Sequence, residues 1–321
     1  MIEYILFVVG FILLIKGAGY LVDGSSSLAK RFGVPALIIG LTIVALGTTM
    51  PELIVNITSA IKGNTDIALG TVIGSNITNI LLVLGLISII TPLRVHYSTL
   101  WKEIPFFIIA VVILITLAND IFLSGSQYSF ISRNDGIILI CFFAIFFYFM
   151  FNLAKRDRRY LDSKKIKIKK RDNITMYLMI IFGILGILIG GKWVVDGTIL
   201  IARQLGLSEF MISATIVAFG TSLPELVTAI TATIKKNMDI AIGNIIGANI
   251  LNIFWVLGIA SVIKPIQFIK YLNLDLLFLI VISFLFFFFV FVGKRNILER
   301  KEGIIFVGLY IAYIIFNIVR G

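Results

Sequence analysis

Two short segments of the chain hold the residue types that could do ionic chemistry. The first is Gly47-Thr48-Thr49-Met50-Pro51-Glu52-Leu53, and the second is Gly220-Thr221-Ser222-Leu223-Pro224-Glu225-Leu226. Each sets hydroxyls and one carboxylate around a proline in the middle of a long apolar run. Proline removes a backbone donor and clashes with the carbonyl four residues back, so a helix is expected to open there. That frees the carbonyls around Ala45–Gly47 and Ala218–Gly220. Thr48 and Glu52 are four residues apart and share a helical face, as do Thr221 and Glu225. Hydroxyls, carbonyls and a carboxylate make an all-oxygen set suited to a hard cation.

A carboxylate at the centre of a membrane helix costs about 3 kcal/mol even on the lenient insertion scale. Neither run, 36–61 nor 209–234, contains a Lys or Arg to offset Glu52 or Glu225. A bound cation would; protonated glutamates with a packing role are the competing reading. The following run in each half adds Gly70-x-x-x-Gly74-Ser75-Asn76-Ile77-Thr78-Asn79 and Gly243-x-x-x-Gly247-Ala248-Asn249-Ile250-Leu251-Asn252. Small residues four apart let helices approach closely. Ser75 and Asn79 share a face and can point toward Glu52, and polar helix-to-helix glue is the alternative.

These segments need a scaffold, and the composition says which kind. Of 321 residues, 59% are hydrophobic and 14% charged, with a mean hydropathy of +1.06. A soluble protein is about half apolar and a quarter charged, so an ordinary cytosolic enzyme and a disordered chain are both excluded. The one cysteine, Cys141, allows no intramolecular disulfide. Ten apolar runs are long enough to cross a bilayer: roughly 2–28, 36–61, 67–90, 104–123, 135–154, 174–202, 209–234, 240–263, 273–293 and 302–319. The first lacks a basic start and a cleavage site, so it reads as a retained helix, not a signal peptide. The expected fold is an all-α integral membrane protein.

The net charge of +11 is orientational. With both termini outside, the loops near 30, 95, 160, 236 and 298 face the cytoplasm and hold 20 of the 28 Lys and Arg; the opposite loops hold 6. That asymmetry follows the positive-inside rule. The basic stretch 155–171 reads as a juxtamembrane loop on an anionic leaflet, not a nucleic-acid site.

Shifted by 173 residues, the sequence matches itself without a gap: residues 17–92 against 190–265 share 37 of 76 positions. Asp23 falls on Asp196, Glu52 on Glu225, Asn76 on Asn249 and Asn79 on Asn252. Each copy begins a block of five runs. Five is odd, so the second copy enters the membrane upside down. That is the inverted repeat of secondary transporters, whose site lies where the copies meet. The expected division is 1–154 for the first five-helix repeat, 155–173 for a basic cytoplasmic loop and 174–321 for the second repeat.

Over nearly its whole length the chain resembles the calcium/cation antiporters, most closely their prokaryotic sodium/calcium exchangers. The resemblance is carried by Gly-Thr-Thr-Met-Pro-Glu at 47–52, Gly-Thr-Ser-Leu-Pro-Glu at 220–225 and the two Gly-x-Asn-x-x-Asn stretches. It implies Ca²⁺ held by Glu52, Glu225, Thr48 and Thr221. It also implies Na⁺ held by Thr49, Ser222, Ser75, Asn79, Asn252 and the carbonyls of Ala45 and Ala218. It further implies a prokaryotic plasma membrane, no cofactor beyond the transported ions, no catalytic residues, and a chain able to act as a monomer in the lipid bilayer. Sliding of the first and sixth runs against the site-bearing core is the motion it implies.

Two departures stand out. Ala248 occupies the place where the family's second repeat has a serine matching Ser75, which puts a three-sodium stoichiometry in doubt. Asn252 stands where potassium-dependent relatives carry Asp, so no potassium transport is expected. Calcium/proton antiport, with Glu52 and Glu225 shuttling protons, is the rival reading, and a cation channel is a more distant one. Lys192 and Asp196 are spaced for a local ion pair, His96 has no metal-binding companion, and Phe284–Phe291 reads as a lipid-facing stretch.

Overall fold

The computed structural model describes residues 2–63, 65–96, 99–120, 128–161, 173–204, 218–292 and 296–320. It is helical, as apolar segments must be where no water can satisfy the backbone. In chain order the elements are α1 (Ile2–Phe32), α2 (Ala36–Thr48), α3 (Met50–Lys62), α4 (65–90), β1 (Leu93–Arg94) and α5 (Ile104–Leu117). There follow β2 (Phe130–Ile131), α6 (Arg133–Leu161), α7 (Asn173–Gln204), α8 (Ala218–Thr221), α9 (Leu223–Ile234) and α10 (Met238–Ile263). The last are β3 (Ile266–Gln267), α11 (Leu272–Val292), β4 (Ile297–Leu298) and α12 (Arg300–Arg320).

Among the described residues, seven helices are long and apolar enough to span a membrane, and α2 with α3 forms an eighth, bent by 45°. The expected runs 104–123 and 209–234 appear as the shorter α5 and as α8 with α9; residues 121–127 and 205–217 lie outside the described ones. Most of the expected loop 155–173 lies outside them too, although α6 continues to Leu161.

The most extensive helix pair is α1 with α7, and glycine makes it possible. A Cβ on Gly190 would fall 2.5 Å from the Leu14 nitrogen, and one on Gly183 would fall 2.6 Å from that of Leu21. Gly10 meets Gly190 and Trp193 while Gly24 meets Met176 and Ile180, so the two helices run antiparallel. Elsewhere α4 packs on α12, α6 on the C-terminal half of α10, and α2 on α10. Two small antiparallel pairs close the connections. Leu93 pairs with Leu298 on β1–β4, and Phe130 with Gln267 on β2–β3.

The stretch Phe284–Phe291 is only partly outward-facing. Phe284, Phe288 and Phe291 are exposed, but Phe286 is buried and Phe289 stacks on Phe306. Helical periodicity splits any eight-residue aromatic run between two faces. Asp196 and Lys192 do not pair; both are exposed, and it is Asp23 that has an ion pair, with Lys235. His96 Nε2 lies 3.0 Å from Asp239 Oδ1, and that hydrogen bond raises the proton affinity of the imidazole.

Candidate functional site

The two proline motifs form matched helix breaks. Thr49 (φ −82, ψ 2) separates α2 from α3, and Ser222 (φ −87, ψ 1) separates α8 from α9. Both lie in the sparsely populated bridge region common at active sites. Each proline falls in the first turn of the new helix, where its missing N–H is not needed. Glu52 and Glu225 consequently lie in the first turns of α3 and α9. The positive end of a helix dipole favours an anion there, and this lessens the cost of burying a carboxylate that has no Lys or Arg beside it among the described residues.

The break does not free every carbonyl. That of Ala45 accepts the Thr49 N–H and the Thr49 hydroxyl, both at 2.9 Å. Pro51 withholds its donor from Gly47 instead. Nor does Thr48 face Glu52 across one helical turn, because the chain bends between them. Thr48 Oγ1 donates to Asn244 Oδ1 at 2.9 Å. Ala218 is the first residue of α8.

Glu52 and Glu225 are fully buried, and so are Thr48, Thr49, Ser75, Asn79, Ser222 and Asn252; Thr221 is 8% exposed. The pieces come from both repeats. The two carboxylates interact electrostatically, Glu52 is close to the Ser75 hydroxyl, and Glu225 is close to that of Thr48. Ser75 Oγ lies 3.4 Å from Thr221 Oγ1.

Four asparagines tie α4 to α10 between the breaks. Asn79 Nδ2 donates to Asn249 Oδ1 at 3.0 Å, and Asn252 Nδ2 donates to Asn76 Oδ1 at 3.1 Å. The second bond is the repeat image of the first. Each amide nitrogen is thereby anchored, while Asn79 Oδ1 and Asn252 Oδ1 accept no hydrogen bond among the described residues. A π-helical turn begins at each of these two asparagines, Asn79–Val83 and Asn252–Leu257, a distortion often found at functional sites.

Buried polar oxygens are nearly always satisfied. Here both oxygens of Glu52, both of Glu225, and those of Asn79, Asn252 and Ser222 accept no hydrogen bond among the described residues. Such a concentration of unsatisfied hard oxygens has the chemistry of a dehydrated-cation site. The sequence singled out all of these residues; it missed Asn244, and it did not assign Asn76 and Asn249 their positioning role.

The sodium/calcium exchanger protein family matches residues 2–152 and 175–319, nearly the whole chain. The chain belongs to this family. It is 38% identical over 266 residues to the inner membrane protein YrbG of Escherichia coli K12, covering 81% of this chain and 79% of that one. With the sodium/calcium exchanger MaX1 of Methanosarcina acetivorans it shares 29% identity over 98% of both. A solved structure of the sodium-calcium exchanger NCX_Mj, soaked with Na⁺ and Sr²⁺, superposes with a TM-score of 0.82 at 31% identity, covering 98% of each chain. This exchanger-family protein is therefore a helical membrane protein of the cation-transporting kind.

Proposed function

We propose that this protein is a potassium-independent sodium/calcium antiporter working by alternating access. The observation that carries the reading is the meeting of Glu52 and Glu225, one from each repeat, fully buried and, among the described residues, with carboxylate oxygens that accept no hydrogen bond. Two such charges need cations. Glu52, Glu225, Thr48 and Thr221 hold Ca²⁺; Thr49, Ser222, Ser75, Asn79, Asn252 and the carbonyls of Ala45 and Ala218 serve Na⁺. The two sets interleave, with Ser75 beside Glu52 and 3.4 Å from Thr221 Oγ1, so occupancy by one ion excludes the other, and exchange is obligatory.

Ten spans in two inverted halves, 1–154 and 174–321 joined by the loop 155–173, complete the reading. The antiparallel packing of α1 and α7 supports the inversion, since repeat-equivalent residues run in opposite directions. The strand pairs support the sidedness. β1–β4 joins two loops assigned to the cytoplasm, and β2–β3 joins two assigned outside. The termini are placed outside a prokaryotic plasma membrane and the central loop inside, and one chain supplies a complete transporter.

The test is ⁴⁵Ca²⁺ flux in proteoliposomes under imposed ion gradients. An outward Na⁺ gradient should drive Ca²⁺ uptake, and added K⁺ should change nothing. Flux insensitive to the Na⁺ gradient sinks the sodium assignment. Uptake driven by a pH gradient without sodium establishes the calcium/proton rival.

A further inference from the structure

The second repeat has no hydroxyl at Ala248, where its mate has Ser75. In the first half Ser75 faces Thr221. The repeat image of that contact would set residue 248 against Thr48. With alanine there, the Thr48 hydroxyl instead donates to Asn244 Oδ1, one helical turn earlier on α10. Asn244 is fully buried, and its own repeat position in the first half is Thr71.

Asn244 also differs from the asparagines that merely hold helices together. Asn76 uses both ends of its amide, donating to the Asn249 carbonyl and accepting from Asn252. Asn244 uses one end only; its Nδ2 has no partner among the described residues. A threonine hydroxyl has one hydrogen and two lone pairs. The competing acceptors for that hydrogen are the Ala45 carbonyl, at the longer distance of 3.3 Å, and the nearby Glu225 carboxylate, which a bound cation would occupy. Committing it to Asn244 leaves both Thr48 lone pairs for a cation beside Glu225.

We propose that Asn244 is the positioning residue that replaces the absent serine, fixing Thr48 as a ligand for the transported Ca²⁺. The proposal rests on the antiporter reading of the same site. Its test is equilibrium binding of ⁴⁵Ca²⁺ to the full chain in detergent, which does not depend on sodium coupling. Asn244→Ala should weaken binding about tenfold, the size of one lost positioning hydrogen bond, with melting of the ion-free protein unchanged. Adding Ala248→Ser should recover most of the loss, because a hydroxyl returns to the repeat-equivalent place. Unaltered binding in Asn244→Ala overturns the proposal, and so does a loss that Ala248→Ser fails to recover. Absence of sodium-driven flux in the unmutated protein would instead count against the antiporter reading.

A second inference stands on a different observation. The 173-residue offset matches Asp23 with Asp196 and also Lys62 with Lys235. Lys235 Nζ lies 2.8 Å from Asp23 Oδ1 and donates to the Gly19 carbonyl at 2.9 Å, fastening the end of α9 to α1. Among the described residues, Lys62 and Asp196 form no ion pair, and both are exposed. We infer that the four residues make a two-position latch, one pair closed while its image is open, exchanging as α1 and α7 shift against the site. In a Cys141→Ser background, a short thiol cross-linker should join Asp23→Cys to Lys235→Cys, and also Lys62→Cys to Asp196→Cys. Either link should stop flux until reduced. A second pair that never cross-links under any Na⁺ or Ca²⁺ condition, or links that leave flux intact, overturns the latch.

Discussion

Glu225→Gln is expected to abolish Ca²⁺ transport while leaving the protein inserted and folded. Glutamine keeps the shape of the side chain and removes its charge. Truncating one partner of a buried charged contact costs about 2–5 kcal/mol, which is roughly 30-fold to several thousandfold in binding. For a divalent ion shared between two carboxylates, the loss should lie toward the upper end, and Glu52→Gln should match it. The same change should act oppositely on the ion-free protein. A buried carboxylate without a basic neighbour costs about 3 kcal/mol, partly offset here by the helix terminus. Without ions, Glu225→Gln should therefore melt no lower than the unmutated protein, and the rise in melting temperature that Ca²⁺ produces should disappear. Retained flux would remove Glu225 from the site.

The second large effect is expected from one added methyl group. Gly247 lies where α10 crosses α2, and a Cβ there would fall 2.6 Å from the Leu41 carbonyl oxygen and 2.8 Å from the Ala45 Cβ. The neighbouring Gly243 is equally tight, 2.5 Å from the Leu37 oxygen. Backbone atoms cannot rotate aside, so Gly247→Ala must push the two helices apart. α10 carries Asn244, Asn249 and Asn252, while α2 carries Ala45 and Thr48. A separation of even part of an ångström stretches the 2.9 Å Thr48–Asn244 contact. Displacements of about 1 Å at a site cost on the order of 100-fold in rate. Gly247→Ala should thus lower ⁴⁵Ca²⁺ flux at least about tenfold per inserted molecule, and Gly247→Val should abolish it. Full activity in Gly247→Ala would show that this crossing does not set the site's geometry.

Much of the site could be read from the sequence because the repeat writes it twice. A carboxylate after Gly-Thr-x-x-Pro is suggestive once; at a fixed offset, with Asn79 and Asn252 following, it marks two halves of one site. The helix breaks were legible for the same reason, since proline acts locally. What escaped was tertiary. Helical spacing pairs Thr48 with Glu52, but a bend between them turns Thr48 toward Asn244 on another helix. Asn244 itself has no asparagine mate at 71, so the repeat gave no hint of it. Lys192 and Asp196 had the spacing of an ion pair, yet the ion pair formed is Asp23 with Lys235, residues over 200 apart in the chain. Nor did composition show that Glu52 and Glu225 would begin new helices, where the backbone itself helps to hold their charge. Charge patterning divides the loops into two sets, and the β1–β4 and β2–β3 pairs each join loops of one set.

The central claim is that carboxylates from the two repeats form one site in which Ca²⁺ and Na⁺ exclude each other. Equilibrium ⁴⁵Ca²⁺ binding to the purified protein, titrated with Na⁺ at fixed pH, tests it directly. The account predicts saturable Ca²⁺ binding that Na⁺ displaces competitively and that both Glu52→Gln and Glu225→Gln eliminate. Ca²⁺ binding that is indifferent to Na⁺, or that survives the loss of either glutamate, would contradict it.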